Sequence, residues 1–161
     1  MPVLRSAFIA LSRNPSLRKF AEHSSFGSKL SSRFVAGLEI EDALRVCSQV
    51  NAQGMHVTLD SLGESVTNAD EAHRAADIYH QLLDQIAARK LDSNISVKLT
   101  QMGLTLDPAL AEKIALDLTR HAQSTGNFVR IDMEDSSTTT ATLALYRELR
   151  ESGFEDRKSV V

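Results

Sequence analysis

The chain has 161 residues, 42% of them hydrophobic and 24% charged, and a formal net charge of −3. That balance reads as a soluble, globular, cytoplasmic protein, and an acidic excess without any basic run argues against a nucleic-acid partner. A single cysteine, Cys47, excludes an intramolecular disulfide framework and points to a reducing compartment.

The opening MPVLRSAFIALSRNP carries an apolar run too short to span a bilayer and lacks a cleavage site. It is expected to be an amphipathic first helix rather than a signal peptide. Residues 1–37 read as short helices broken at Asn14-Pro15, Ser24-Ser25 and Gly27-Ser28. From Glu39 the pattern becomes periodic. A helix is expected over residues 39–53, with Leu44, Cys47 and Val50 at helical spacing and Gly54 as its stop. Cys47 is then a buried structural thiol. Residues 55–59 (MHVTL) form the first expected strand. Asn68 stands where an N-cap belongs, with Glu71 three residues later, and the helix it opens runs to about Arg89. That helix would bury Ile78, Leu82 and Ile86 together with Tyr79 and Leu83. Residues 95–99 form the second strand. Asp107-Pro108 pairs an N-cap with proline at N1, and Leu110, Ile114 and Leu118 line the helix that follows, with Gly126 beyond its end. Residues 128–133 form the third strand, and a helix over 136–152 runs up to Gly153.

This βαβαβα order gives an α/β fold with parallel strands. A complete eight-stranded barrel takes roughly 250 residues, so three units leave either a small open sheet or the first part of a truncated (βα)8 barrel. The strands themselves tilt the choice. In each, one parity is apolar and the other polar: His56, Thr58 and Asp60; Ser96, Lys98 and Thr100; Arg130, Asp132 and Glu134. A sheet covered on both faces gives nearly continuous apolar runs, so a polar parity repeated three times suggests a face that looks into a barrel lumen.

Lys98 and Asp132 lie near the carboxyl ends of neighbouring strands, the rim where parallel barrels do their chemistry, and adjacent strands are about 4.8 Å apart. One reading is a lysine that receives a substrate anion and an aspartate that orients it. The other is a satisfied internal ion pair, which would contribute little net stability. Asp60, Glu64, Glu134 and Asp135 are expected to cap helices or bind loop amides. Of the five histidines only His56 has the lumen-facing parity, and none shows metal-binding spacing. The run 136–140 (SSTTT) reads as the cap and first turn of the last helix, with an anion at its amides as the weaker reading.

The segments RFVAG (33–37), VTLDSLGE (57–64), SVKLTQMGL (96–104) and VRIDMEDS (129–136) resemble, in order and spacing, those of bacterial monofunctional proline dehydrogenases. The resemblance extends to about Phe154. It implies short N-terminal helices (1–37) followed by the first three βα units (38–155) of a distorted (βα)8 barrel that holds FAD at the carboxyl ends of its strands. It also implies oxidation of L-proline to Δ1-pyrroline-5-carboxylate, with hydride passing to FAD and electrons then to a quinone. A cytoplasmic location with peripheral membrane association of the full-length enzyme would follow. Lys98 would bind the proline carboxylate, Asp132 would belong to the catalytic polar cluster, and Met133 would lie against FAD. The family's remaining strands supply most FAD contacts and an arginine pair that clamps the carboxylate. Residues 156–161 (DRKSVV) do not resemble the next strand and are expected to be a non-native tail, so the chain alone is expected to be inactive. Two further readings stand beside this one: a Schiff-base lyase using Lys98 as nucleophile, and a non-catalytic small α/β binding module.

Overall fold

The computed structural model describes residues 35–63 and 65–152. The expected N-terminal helices before Val35, the acid Glu64 and the tail lie outside them. The chain divides into two compact units after Ala43, and the three described strands belong to the second. Along the described residues run α1 (Ile40–Asn51), β1 (Val57–Asp60), α2 (Ala69–Arg89), β2 (Ser93–Val97), α3 (Pro108–Ser124), β3 (Val129–Ile131) and α4 (Thr139–Glu151).

Local chemistry sets most of these boundaries. The Asn68 side chain accepts from the Glu71 amide at 3.0 Å, while Glu71 reaches back to the Thr67 amide at 2.7 Å, one residue earlier than an ideal capping box. Asp107 accepts from the Ala109 amide at 3.0 Å, and Pro108 opens α3 where no amide hydrogen is needed. Three helices end in one way. The chain passes through a left-handed residue (Gly54, Lys90 or Gly126), and the next amide bonds back to the carbonyl five residues earlier. Lys90 does this with φ +53°, a conformation that a side chain disfavours and that glycine serves in the other two.

The strands pair in sequence order, β1-β2-β3, all parallel. In register, Leu59 lies level with Ile95 and Ile95 with Val129; Asp60 lies level with Ser96 and Ser96 with Arg130. The apolar parity supplies the buried Leu59, Ile95 and Val97, joined in the core by Tyr79, Leu82, Leu83 and Ile86 of α2 and Ile114 and Leu118 of α3. Helix α2 packs on β2, and α3 packs on α2 and β3. In α1, Leu44 and Cys47 are buried as expected. Burial also lifts the Cys47 thiol above its ordinary pKa, which leaves it an unreactive thiol.

β1 and β3 are shorter than the sequence pattern suggested, and β2 keeps its length but is displaced two residues towards the amino end. β2 ends at Val97, so Lys98 lies just beyond it, and β3 ends at Ile131, so Asp132 does likewise. Helix α4 begins three residues late because Asp135 organises a turn over Ser136–Thr138. Its carboxylate accepts from the Ser137 amide at 2.7 Å, and its carbonyl accepts from the Thr138 amide at 3.1 Å. The bonds to the Ser137 amide and hydroxyl also hold the Asp135 carboxyl below its ordinary range.

Where α2 and α3 lie side by side, His80 and His121 meet through their Nδ1 atoms at 2.6 Å. Their rings are also nearly parallel, with an interplanar angle of 21° and centroids 4.9 Å apart, so a stacked contact accompanies the one between the nitrogens. On the outer edges, His121 Nε2 lies 2.9 Å from Asp84 and His80 Nε2 lies 3.3 Å from Asp117, so both carboxylate contacts also cross between the helices. These contacts make the two histidines one unit. Substituting either with alanine is expected to lower stability by about 1 kcal/mol, with the double substitution costing little more than one alone. Urea unfolding of the single and double variants reads this, and additive losses would show that the rings act separately.

Candidate active site

The three strands end at one rim, and their polar parity delivers side chains there in a fixed order. Thr58 Oγ1 donates across to Asn94 Oδ1 at 2.9 Å, one step below the rim. Asn94 and Ser96 are buried although polar, and each has a partner, as a central strand requires. At the rim itself Ser96 Oγ makes a short hydrogen bond to Asp132 Oδ1. The ladder runs one bond past β3, the Asp132 amide donating to the Val97 carbonyl at 3.0 Å.

Lys98 stands between two carboxylates. Its Nζ lies 2.8 Å from Asp60 Oδ2 and 3.9 Å from Asp132 Oδ2, and its side chain keeps 22% of its surface exposed. The first contact is a charge-assisted hydrogen bond; the second is attraction at longer range. The hydrogen bond to Asp60 is the main reason that the Lys98 ammonium is held above its ordinary pKa, with Asp132 and Glu134 adding to it and partial burial opposing it. An amine kept protonated in this way is a cation, not a nucleophile, which disfavours the Schiff-base reading.

Beyond Lys98 the chain makes a single helical turn. The Gln101 amide donates to the Lys98 carbonyl at 3.1 Å, and the turn closes at Gly103, whose φ of +96° lets the Leu104 amide reach the Leu99 carbonyl at 2.9 Å. This turn folds Thr100 and Gln101 back towards the rim, where both are buried. The Thr100 amide and hydroxyl both donate to the Glu134 carboxylate. From α2, the Tyr79 hydroxyl donates to Asp60 Oδ1 at 2.9 Å and receives the Ser61 amide at 3.2 Å.

The structure therefore brings Lys98 and Asp132 together. Met133 follows directly, 40% exposed on the apolar parity. Glu134 and Asp135 bind loop amides as expected. Asp60 does not: it is the nearest partner of Lys98, because its place in register with Ser96 puts it on the same face two residues short of the lysine. His56 is not at the rim. It precedes β1 at the opposite end of the sheet, exposed and paired with Asp92. Sequence reasoning placed Tyr79 only in the core. A tyrosine on a buried helix face needs a partner for its hydroxyl, and that was the available signal.

The proline dehydrogenase family profile matches residues 43–161. The chain is 37% identical over 160 residues to proline dehydrogenase 1 of Bacillus subtilis subsp. natto, and 36% identical over 160 residues to proline dehydrogenase 1 of Bacillus subtilis strain 168. Each match covers 99% of this chain and 52% of the relative, so the chain spans about half the length of the curated relatives it matches. Its fold is similar to the crystal structure of proline utilization A from Bdellovibrio bacteriovorus inactivated by N-propargylglycine. There the TM-score is 0.73 at 24% identity, over 82% of this chain and 16% of that one.

Burial, followed by the nearby Asp60 charge, pushes the Tyr79 phenol well up, so Tyr79 and Lys98 are shifted in the same direction. A raised folded-state pKa means that the folded chain keeps a proton the unfolded chain has already lost. The stability from both groups is thus intact at neutral pH and is lost as pH rises through the folded-state values. Thermal melts are expected to hold steady to about pH 9 and fall above about pH 10, where unfolded tyrosine and lysine titrate. Lys98→Met should flatten part of that fall; parallel curves for the two proteins would show that Lys98 takes no part in it.

Proposed function

This chain belongs to the proline dehydrogenase family, and on that premise we propose that its strand rim is part of the substrate site of an enzyme that oxidises L-proline to Δ1-pyrroline-5-carboxylate with FAD. The observation that carries the proposal is Lys98, an ammonium group kept charged at the rim with its side chain still partly exposed. A lysine has three donors, and Asp60 hydrogen-bonds one of them. The others are free to turn towards a carboxylate, and a fixed cation in a partly desolvated mouth binds such a group far better than one in open water.

Asp132 lies on the opposite side of that cation. Its Oδ1 is tied by Ser96, with Arg130 Nε at 3.7 Å, which leaves Oδ2 turned towards Lys98. As hydride leaves the ring carbon beside nitrogen, positive charge develops on that nitrogen, and a carboxylate held in place stabilises it without having to reorganise. The described rim brings together the carboxylates of Asp60, Asp132 and Glu134 and the cations of Lys98 and Arg130. That balance is negative, so the carboxylate of the substrate needs further cations, which is the part the family's arginine pair would take.

The rim also suits a flavin. Met133, the residue after Asp132, offers an exposed apolar side chain, the kind of surface that a planar ring system covers. FAD, when bound, would supply the hydride acceptor, and Met133 is the residue proposed to lie against it. On this reading the three strands are the first staves of a (βα)8 barrel. The full-length enzyme passes electrons to a quinone and works in the cytoplasm, at the inner face of the membrane.

L-proline-dependent bleaching of the flavin in the FAD-loaded full-length enzyme tests the proposal. Removing a charge-assisted hydrogen bond costs about 1.5–3 kcal/mol, so Lys98→Ala should raise the half-saturating proline concentration about 10- to 100-fold. Asp132→Asn should lower the maximal rate more than it changes half-saturation. An unchanged half-saturation in Lys98→Ala would remove Lys98 from the substrate site.

A further inference from the structure

The proposed reading makes the place of the Lys98 ammonium critical, yet a lysine side chain has four rotatable bonds and a strong preference for water. Something must hold it. Asp60 is the nearest group, but an aspartate at the end of a strand is itself free to rotate unless both its oxygens are engaged. They are engaged in different directions: Oδ2 holds Lys98 Nζ at 2.8 Å, and Oδ1 accepts from the Tyr79 hydroxyl at 2.9 Å.

Tyr79 is suited to be the fixed end of this chain of contacts. It is wholly buried on α2, so its ring has no freedom to follow the carboxylate. The Ser61 amide donates to its oxygen at 3.2 Å, which directs the hydroxyl's single proton away from that amide. Gln101 Oε1 lies 3.2 Å from the same hydroxyl, but Asp60 is nearer and charged and so takes the proton. The Gln101 side-chain Nε2 meanwhile donates to the Ser61 carbonyl at 3.3 Å, closing the group around the first residue after β1. A side chain on Gly63 would have to displace that amide, its Cβ coming within 2.5 Å of Gln101 Nε2. Burial and the Asp60 charge also keep the phenol protonated far above neutral pH, so it remains a donor throughout the working range.

We propose that Tyr79 is a positioning residue: it locks the Asp60 carboxylate from behind, and through Asp60 it fixes the ammonium of Lys98 at the mouth of the site. Tyr79 touches no reacting atom. Its hydroxyl exerts its effect two contacts away, through a carboxylate that cannot swing out without breaking the bond to Tyr79. The inference rests on the reading of Lys98 as the carboxylate-binding cation, but it can be tested without any ligand.

The test is nitrogen-15 NMR of the Lys98 ammonium group in the 161-residue chain, assigned by its loss in Lys98→Arg. In the unsubstituted protein the group is expected to be ordered and protected from water exchange, unlike exposed lysines such as Lys113. Tyr79→Phe should cut its order parameter at least twofold. Asp60→Asn should do the same, and the double substitution should cut it no further than Asp60→Asn alone. A hydroxyl that served only to satisfy the core would lower the melting temperature and leave Lys98 as ordered as before, which overturns the proposal. If Tyr79→Phe does not fold, the unsubstituted protein still decides, because a Lys98 ammonium as mobile as exposed lysines overturns it without any variant. The two readings fail separately: an ordered Lys98 whose removal leaves proline saturation unchanged sinks the substrate role, whereas a mobile Lys98 sinks the positioning role.

Discussion

One cation between two carboxylates, each from a neighbouring strand, is the contact around which the rim is organised. Lys98 faces Asp60 from β1 and Asp132 from beyond β3, and it lies directly beyond the middle strand. The parallel register makes this possible. With Asp60 level with Ser96, and Ser96 level with Arg130, the polar parity of all three strands falls on one face, and the residues just past the strand ends continue it. A shift of one residue in either pairing would send one carboxylate of the trio to the apolar face and leave Lys98 with only the other. The same register places Leu59, Ile95 and Val129 together on the other face. Core packing and the charged cluster therefore specify the same alignment.

Much of this was legible because it is local. The Asn68 and Asp107 caps and the glycine stops at Gly54 and Gly126 each depend on residues within one turn, and each appears where the pattern placed it. The βαβαβα succession carried the parallel α/β order, and the alternation of polar and apolar residues marked out the polar face of the sheet. Local chemistry also explains where the boundaries slipped. Asp135 forms a turn of its own and delays α4, and the carbonyl of Lys98 accepts from a helical turn and ends β2 early.

Beyond Lys98 and Asp132, what sequence could not supply was partnership across the fold. Asp60 and Lys98 are 38 residues apart, and His80 and His121 are 41 apart. Nothing in the segment around Asp60 distinguishes a carboxylate that caps a loop from one that grips a lysine on the next strand. Tyr79 was assigned to the core, correctly by burial, but a buried ring says nothing about which acceptor its hydroxyl meets. His56 shows the opposite error. Parity put it on the lumen face, but parity says nothing of height, and the structure leaves it at the far end of the sheet beside Asp92.

The unequal distances around Lys98 separate two duties that one ion pair could not perform together. A lysine bonded tightly by both carboxylates would have its charge satisfied and little attraction left for a third anion. One bonded by neither would be mobile and solvated. At 2.8 Å Asp60 fixes the ammonium, while Asp132 at 3.9 Å remains outside hydrogen-bond reach and can attend to other charge in the mouth. Asp60, bonded from behind by Tyr79, is thus the close partner of the lysine, and Asp132, turned to the same space with one oxygen tied by Ser96, keeps its other oxygen outside hydrogen-bond reach of it. Strand chemistry alone suggested Lys98 and Asp132 as the pair; the geometry makes Asp60 the group that holds the lysine and leaves Asp132 as its more distant neighbour.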